Sequence, residues 1–236
     1  MSAGSLLSIG TRAMFANYAA LQTTGHNIAN ANVEGYSRQR VELQTAQGEF
    51  TGAGFFGKGV DVATVSRAHD EFLTREAALS RSQAAADAAR AEQLSRLEAV
   101  FPPGEQGLGY VSGQLLNAMV ELASRPQDSA TREVVLQRAL ELAQRYAHAG
   151  EQIDTLQAGV AQDLAIGIEQ VNQIAQRIAL VNDQIASVNG SGQPPNDLLD
   201  ERDRLVAQLS ERVNVSTLAA GDGTLSVFMA GGQRLV

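Results

Sequence analysis

Residues 129–188 read SATREVVLQRALELAQRYAHAGEQIDTLQAGVAQDLAIGIEQVNQIAQRIALVNDQIASV. An apolar seam runs through Val135, Ala139, Leu142, Tyr146, Ala149, Ile153, Leu156 and Val160 in alternating steps of four and three. Two more steps of four reach Leu164 and Ile168, and the seam resumes through Val171, Ile174, Ile178, Val181, Ile185 and Val188. This spacing keeps one face of an α-helix turned toward a partner. The repeated step of four is a stutter, which lets a helix unwind locally without losing its seam. Gly159 and Gly167 sit beside it and predict a kink. Ser129 predicts the N-cap, with Arg132 and Glu133 in the first turns. At ~1.5 Å per residue the element would run roughly 85–90 Å. A rod needs that length; an enzyme core does not.

Working outward, Asn189-Gly190-Ser191-Gly192-Gln193-Pro194-Pro195 has the composition of a turn. Asn196 or Asp197 then caps a helix to about Arg212, with Leu199, Val206, Leu209 and Val213 on one side. It should fold back on the long helix as an αα-hairpin. From Val213 the period becomes two. Val213, Val215 and Thr217 alternate with polar neighbours, Gly221-Asp222-Gly223 marks a hairpin turn, and Leu225, Val227 and Met229 return. Arg234-Leu235-Val236 begins a third strand. Three short strands with an open edge are marginal alone, which implies a fragment or a truncated product.

On the N-terminal side, helices are expected from about Asp70 to Val100 and from Tyr110 to Ser124. The first carries a seam of Phe72, Leu79, Ala86, Leu94 and Leu97 and an Ala-rich centre at 83–91. Phe101-Pro102-Pro103-Gly104 ends it. Residues 31–69 are irregular and glycine-rich; Val41 and Leu43 alternate with polar residues, as do Val60, Val62 and, less cleanly, Val65, which predicts a short two-stranded element. Residues 4–30 read as a helix with two stripes. Leu7, Met14, Leu21 and Ile28 recur every seven residues with Tyr18 beside them, and Leu6, Ile9, Ala13, Ala16 and Ala20 form a smoother one. Nothing nearby in sequence covers both, so this helix is expected to be mobile in a monomer and to order on packing with other chains. The expected fold class is mainly α: a long antiparallel helical hairpin or coiled-coil rod, an N-terminal assembly helix, a small β element near 41–65 and the start of a truncated β domain after 213. The expected divisions are 1–40, 41–69, 70–212 and 213–236.

The chain has 236 residues, 44% of them apolar and 5% aromatic, with a formal charge of -8. That is long enough and apolar enough to bury a core. No segment has the basic footprint of a nucleic-acid or anionic-lipid binder, so neither partner is expected. Cysteine is absent, which excludes disulfides and thiolate chemistry. His26, His69 and His148 lack metal-ligand spacing to one another. Gly52, Gly54 and Gly57 match Gly-x-Gly-x-x-Gly, but without the strand–helix context that a phosphate loop needs. Asp197, Asp200, Glu201 and Asp203 could suggest paired carboxylates. With Arg202 and Arg204 interleaved in a first helical turn, they read instead as a solvated, capped helix start. No catalytic residue, cofactor or metal is expected.

Two segments carry a resemblance. Asn27-Ile28-Ala29-Asn30-Ala31-Asn32-Val33-Glu34-Gly35-Tyr36-Ser37-Arg38-Gln39 resembles the motif shared by flagellar rod, hook and hook-associated proteins, in which a helix ends in an Asn-rich turn before Gly-Tyr. Asn30 and Asn32 can end the helix through side-chain bonds to backbone, Gly35 permits a left-handed conformation, and Tyr36 packs back. The Ser-Arg-Gln continuation, with Arg38, is similar to the hook-associated protein 1 family in particular. So is Asn196-Asp197-Leu198-Leu199-Asp200-Glu201-Arg202-Asp203-Arg204-Leu205-Val206, and Val181-Asn182-Asp183-Gln184-Ile185 before it.

The resemblance implies a non-catalytic structural part of the bacterial flagellum at the hook–filament junction. It implies type III export from the cytoplasm to the cell exterior and assembly as a ring. The implied partners are the hook protein, hook-associated protein 3, further copies of the chain, and an export chaperone that docks on a C-terminal region missing here. In the family the N-terminal helix pairs with a C-terminal helix, so Leu7, Met14, Tyr18, Leu21 and Ile28 become assembly contacts. Another rod or hook protein, or a soluble coiled-coil adaptor, are the competing readings.

Overall fold

The computed structural model describes residues 3–50, 52, 54–188, 190 and 192–236, with side chains from Leu6 onward. The described residues are mainly α. The elements are α1 (Ala3–Ala29), β1 (Gln39–Thr45), β2 (Glu49–Phe50), β3 (Phe55–Phe56), β4 (Val60–Arg67), α2 (Glu71–Val100), a 3-10 turn (Gly104–Gln106), α3 (Leu108–Ser124), α4 (Ser129–Val188), α5 (Asn196–Ser210), β5 (Val215–Ala219) and β6 (Leu225–Met229). They form two compact units, Met1–Gln83 with Gln170–Val236, and Ala84–Glu169. Both divisions fall inside helices, α2 and α4.

Helix α4 is one element of 60 residues, roughly 90 Å long. It passes through Gly159 and Gly167 without a break. Its start differs from the sequence reading. Asp128 is the cap, its Oδ1 accepting the Ala130 N–H at 3.0 Å, and Ser129 is the first helical residue. Asp70 caps α2 in the same way, accepting the Phe72 and Leu73 N–H groups at 2.9 and 3.0 Å. The α4 seam is buried where neighbours cover it. In the first unit Ile178, Val181 and Ile185 join Leu205, Val206 and Leu209 of α5 and Leu225 and Val227 of β6 in one core. In the second unit Val100, Val111, Ala118 and Ala149 are buried. Around the stutter, Val160, Leu164 and Ile168 stay 44%, 63% and 54% exposed. The seam of α2 is also uncovered: Phe72, Leu79, Leu94 and Leu97 are all exposed.

The connector between α4 and α5 includes Asn189 and Ser191, which lie outside the described residues. Neither Asn196 nor Asp197 caps α5. Pro195 holds the N-cap position with no side-chain bond, because both polar side chains are engaged elsewhere. The helix ends at Ser210, two residues before the expected Arg212.

The strands follow the alternation. Strands β1 and β4 pair antiparallel, with Val41 opposite Val65 and Leu43 opposite Val62, and a bulge between Glu42 and Leu43 shifts the register. Strands β2 and β3 make a two-residue ladder around the glycine-rich loop, so Gly52, Gly54 and Gly57 belong to a hairpin and its exit. Strands β5 and β6 pair through Thr217 and Val227, with the expected turn at Gly221-Asp222-Gly223. Leu235 and Val236 bond the backbone of Val227, a short third partner beside β6. One face of this hairpin is buried on α4 and α5, which supplies the support that an isolated ribbon lacks.

Candidate functional site

No group of metal-ligating side chains is assembled among the described residues. Among the described residues no helix is long and apolar enough to cross a membrane. The histidines go separate ways: His26 lies 3.7 Å from Asp197, His69 lies 3.4 Å from Asp203, and His148 meets Gln152 at 3.1 Å. What stands out instead is an apolar face. On α1, Leu7 is 73% exposed, Met14 63%, Tyr18 64%, Leu21 71% and Ile28 73%, with Leu6 and Phe15 also exposed. Helical spacing aligns Leu7, Met14, Tyr18, Leu21 and Ile28 in one apolar stripe open to solvent.

The opposite stripe corrects the expectation that nothing nearby covers α1. Ala16 is buried, Ile9 and Ala13 are half-buried, and Arg12 pairs with Asp61 of β4. Gly59, at φ +89°, lets β4 come within contact of Ile9: a Cβ there would sit 3.3 Å from the Ile9 methyl. One face of α1 is thus docked on the β1–β4 ribbon, and the other is free.

The end of α1 is held by Asn27. Its Nδ2 donates to the Gln39 carbonyl at 2.8 Å, and its Oδ1 accepts the Gln39 N–H at 2.8 Å. The side-chain amide therefore stands in for a strand neighbour at the first residue of β1. The Tyr36 hydroxyl donates to the same Oδ1 at 2.7 Å, and its ring meets His26 edge-on at 5.6 Å. Partial burial, then the charges of Asp197 and Asp200, push the Tyr36 phenol up from its ordinary value. Asn30 ends the helix as expected, its Nδ2 donating to the His26 carbonyl at 3.0 Å. Asn32 makes no such bond and is exposed, so its capping role is not seen. Gly35 has φ +78°, and a Cβ on it would lie 3.2 Å from the Arg204 Cβ. Arg38 is exposed, and with Arg40 it edges a groove whose other wall is Ala20, Thr24 and Ile28 of α1.

Gly35 touching Arg204 joins the two motifs in space. Asp200 of α5 accepts the Ser37 N–H at 2.9 Å on one oxygen and Arg67 at 2.9 Å on the other. Arg67 also donates to Asp203 at 2.5 Å. Asn196 donates to the Val65 carbonyl at 2.7 Å, and Gln39 donates to Asp197 at 3.3 Å. On the far side, Arg202 donates to the Gly223 carbonyl at 2.7 Å while Asn182 brackets Leu225, donating to its carbonyl at 2.8 Å and accepting its N–H at 3.1 Å. Burial pulls the Arg202 guanidinium down from its usual value, with Arg67 adding to the effect and Asp203 opposing it. The expectation of a solvated helix start holds for Asp197, whose side chain is 78% exposed, and is overturned for Asp200 and Asp203. The side chains of Asp200 and Arg67 are only 9% and 10% exposed. Only the run of alternating acids and arginines hinted at this hub, because its partners are distant in sequence.

A family model described as the flagellar hook-associated protein FlgK helical domain matches residues 94–236, more than half of the chain. The chain belongs to the flagellar hook-associated protein FlgK family. A second model, described as the flagella basal body rod protein, matches residues 7–36, which hold the exposed face and most of the Asn-rich turn. Among FlgK-family relatives, the flagellar hook-associated protein 1 of Escherichia coli is 30% identical over 98% of this chain and 43% of its own length. That of Salmonella typhimurium is 31% identical over 98% and 42%. That of Bacillus subtilis is 32% identical over 94% and 47%. The chain thus spans less than half the length of these relatives. The flagellar hook junction protein FlgK from Burkholderia pseudomallei superposes with a TM-score of 0.62 at 27% identity, over 69% of this chain and 28% of that one.

Proposed function

We propose that this chain is a structural, non-catalytic part of the bacterial flagellum that joins hook to filament and assembles by helix packing. The exposed face Leu7, Met14, Tyr18, Leu21 and Ile28 carries this reading. A helix that docks one side on its own ribbon and leaves the other side apolar needs lateral company, which a tubular axial structure supplies. The family's membership supports the place in the cell, and the printed description of the Burkholderia protein as a hook junction protein supports the position within the structure. The partners would be the hook protein on one side, hook-associated protein 3 on the other, and further copies of the chain in a ring. Export from the cytoplasm would precede assembly, with an export chaperone engaging a region beyond residue 236. We read residues 1–40 as the axial part, 41–69 as a connector, 70–212 as the helical body and 213–236 as the opening of an outer β domain.

The test is complementation of a strain lacking the junction protein with the full-length gene. Retained filaments are the expected result. If hooked cells still shed filament subunits into the medium, the reading fails.

A further inference from the structure

We infer that Asp200 is the positioning residue for the assembly helix: acting through Ser37 and Arg67, it fixes the turn from which the α1 face is presented. This deepens the assembly reading above and rests on it. The turn between α1 and β1 has weak means of its own. Ala31 to Gly35 are exposed, and the turn is closed by the Val33 N–H on the Asn30 carbonyl at 2.9 Å and the Tyr36 N–H on the Val33 carbonyl at 3.2 Å. Asn27 spans it to Tyr36 and Gln39, and the ties that join it to the second motif come from α5. Asp200 takes the Ser37 N–H, and Arg204 closes against Gly35. The carboxylate of Asp200 is buried and uses both oxygens, one for the turn and one for Arg67 on β4. Hydrogen bonds to a charged acceptor are about twice as strong as neutral ones, and more so away from water. Asp200 therefore ties three elements, the turn, β4 and α5, at one point. The direction in which α1 leaves that point sets where Leu21 and Ile28 are offered to a neighbour.

Asp203 is a built-in comparison. It shares Arg67 and faces His69, but among the described residues it has no hydrogen bond to the turn. The chemistry separates the two residues. Asp200→Asn keeps shape and volume but presents one acceptor and one NH2 donor to two donors, Ser37 N–H and Arg67. One of those bonds must be lost, while Arg67 retains Asp203. Asp203→Asn weakens the Arg67 and His69 contacts and leaves the Ser37 bond intact.

The experiment uses the full-length protein in both forms. Amide exchange is followed at residues 31–38 and, as an internal reference, at 178–185 and 205–209 in the core. Asp200→Asn should raise exchange at 31–38 by about tenfold or more, the size expected for losing a charge-assisted bond, with the core unchanged. In cells lacking the junction protein it should shed filament subunits while Asp203→Asn retains them. The inference is overturned if the two variants behave alike, if Asp200→Asn raises exchange uniformly, which is a general loss of stability, or if exchange at 31–38 does not change. The wild-type gene separates the two ideas. If it fails to retain filaments, the junction reading falls, while the exchange comparison still decides what Asp200 does.

Discussion

Single residues at the turn do work that no neighbour can take over. Gly35 is held at φ +78° with Arg204 against the place of its missing Cβ. Gly35→Ala should therefore lower stability by about 1–2 kcal/mol, from left-handed strain and the close contact together, seen as a shifted denaturant midpoint at unchanged slope. Tyr36 gives a spectroscopic handle. Its phenol is pushed up, so the folded state favours the protonated form, and the stability this lends is lost as pH rises past the ordinary tyrosine value. In an ultraviolet titration, Tyr36→Phe should remove a phase that ionises above the ordinary tyrosine value. The sequence showed that Gly35 and Tyr36 matter, through a turn motif. It could not show that Asn27 and Asn182 each bracket a strand residue, because a side-chain amide on a helix gives no sign of which distant backbone it will meet. Asn196 and Asp197 misled for a related reason. Both are good caps by type, but a β ribbon stood within reach and took their hydrogen bonds.

At the level of elements, periodicity was a sound guide to existence and a poor guide to burial. The 60-residue α4, the β1–β4 pairing and the β5–β6 hairpin all follow from spacing. Whether a seam position is covered depends on which neighbour arrives, which the pattern of one helix does not contain. Leu205 is fully buried between α4 and β6, whereas Leu164 on the same kind of seam is 63% exposed. Leu205→Ala should cost about 2–5 kcal/mol by leaving a cavity, while Leu164→Ala should stay within about 0.5 kcal/mol. Equilibrium unfolding of both variants checks this, and equal losses would mean that Leu164 is covered in solution. The caps repeat the lesson on a smaller scale. Asp70 and Asp128, not Ser129, start α2 and α4, since each aspartate sits one position outside the first helical residue with its carboxylate on free N–H groups.

For the molecule as a whole, the decisive feature is asymmetry about α1. One side is fastened by Arg12, Ala16 and Asn27 to the β1–β4 ribbon, and the other offers large apolar side chains to water. Nothing among the described residues covers the free side, which is what the proposed packing in an axial structure would use. The sequence foresaw an uncovered stripe but not the docked one, because the ribbon that covers Ile9 and Ala16 is built within the glycine-rich connector, whose alternation does not show which helix face it meets. The most direct measurement changes the free face alone. Met14→Glu and Leu21→Glu together alter residues that are 63% and 71% exposed. The expected result is a full-length protein with unchanged unfolding midpoint that is exported normally yet fails to stay at the hook end, so that filament subunits appear in the medium. Normal retention of filaments by that variant would contradict assembly through the α1 face.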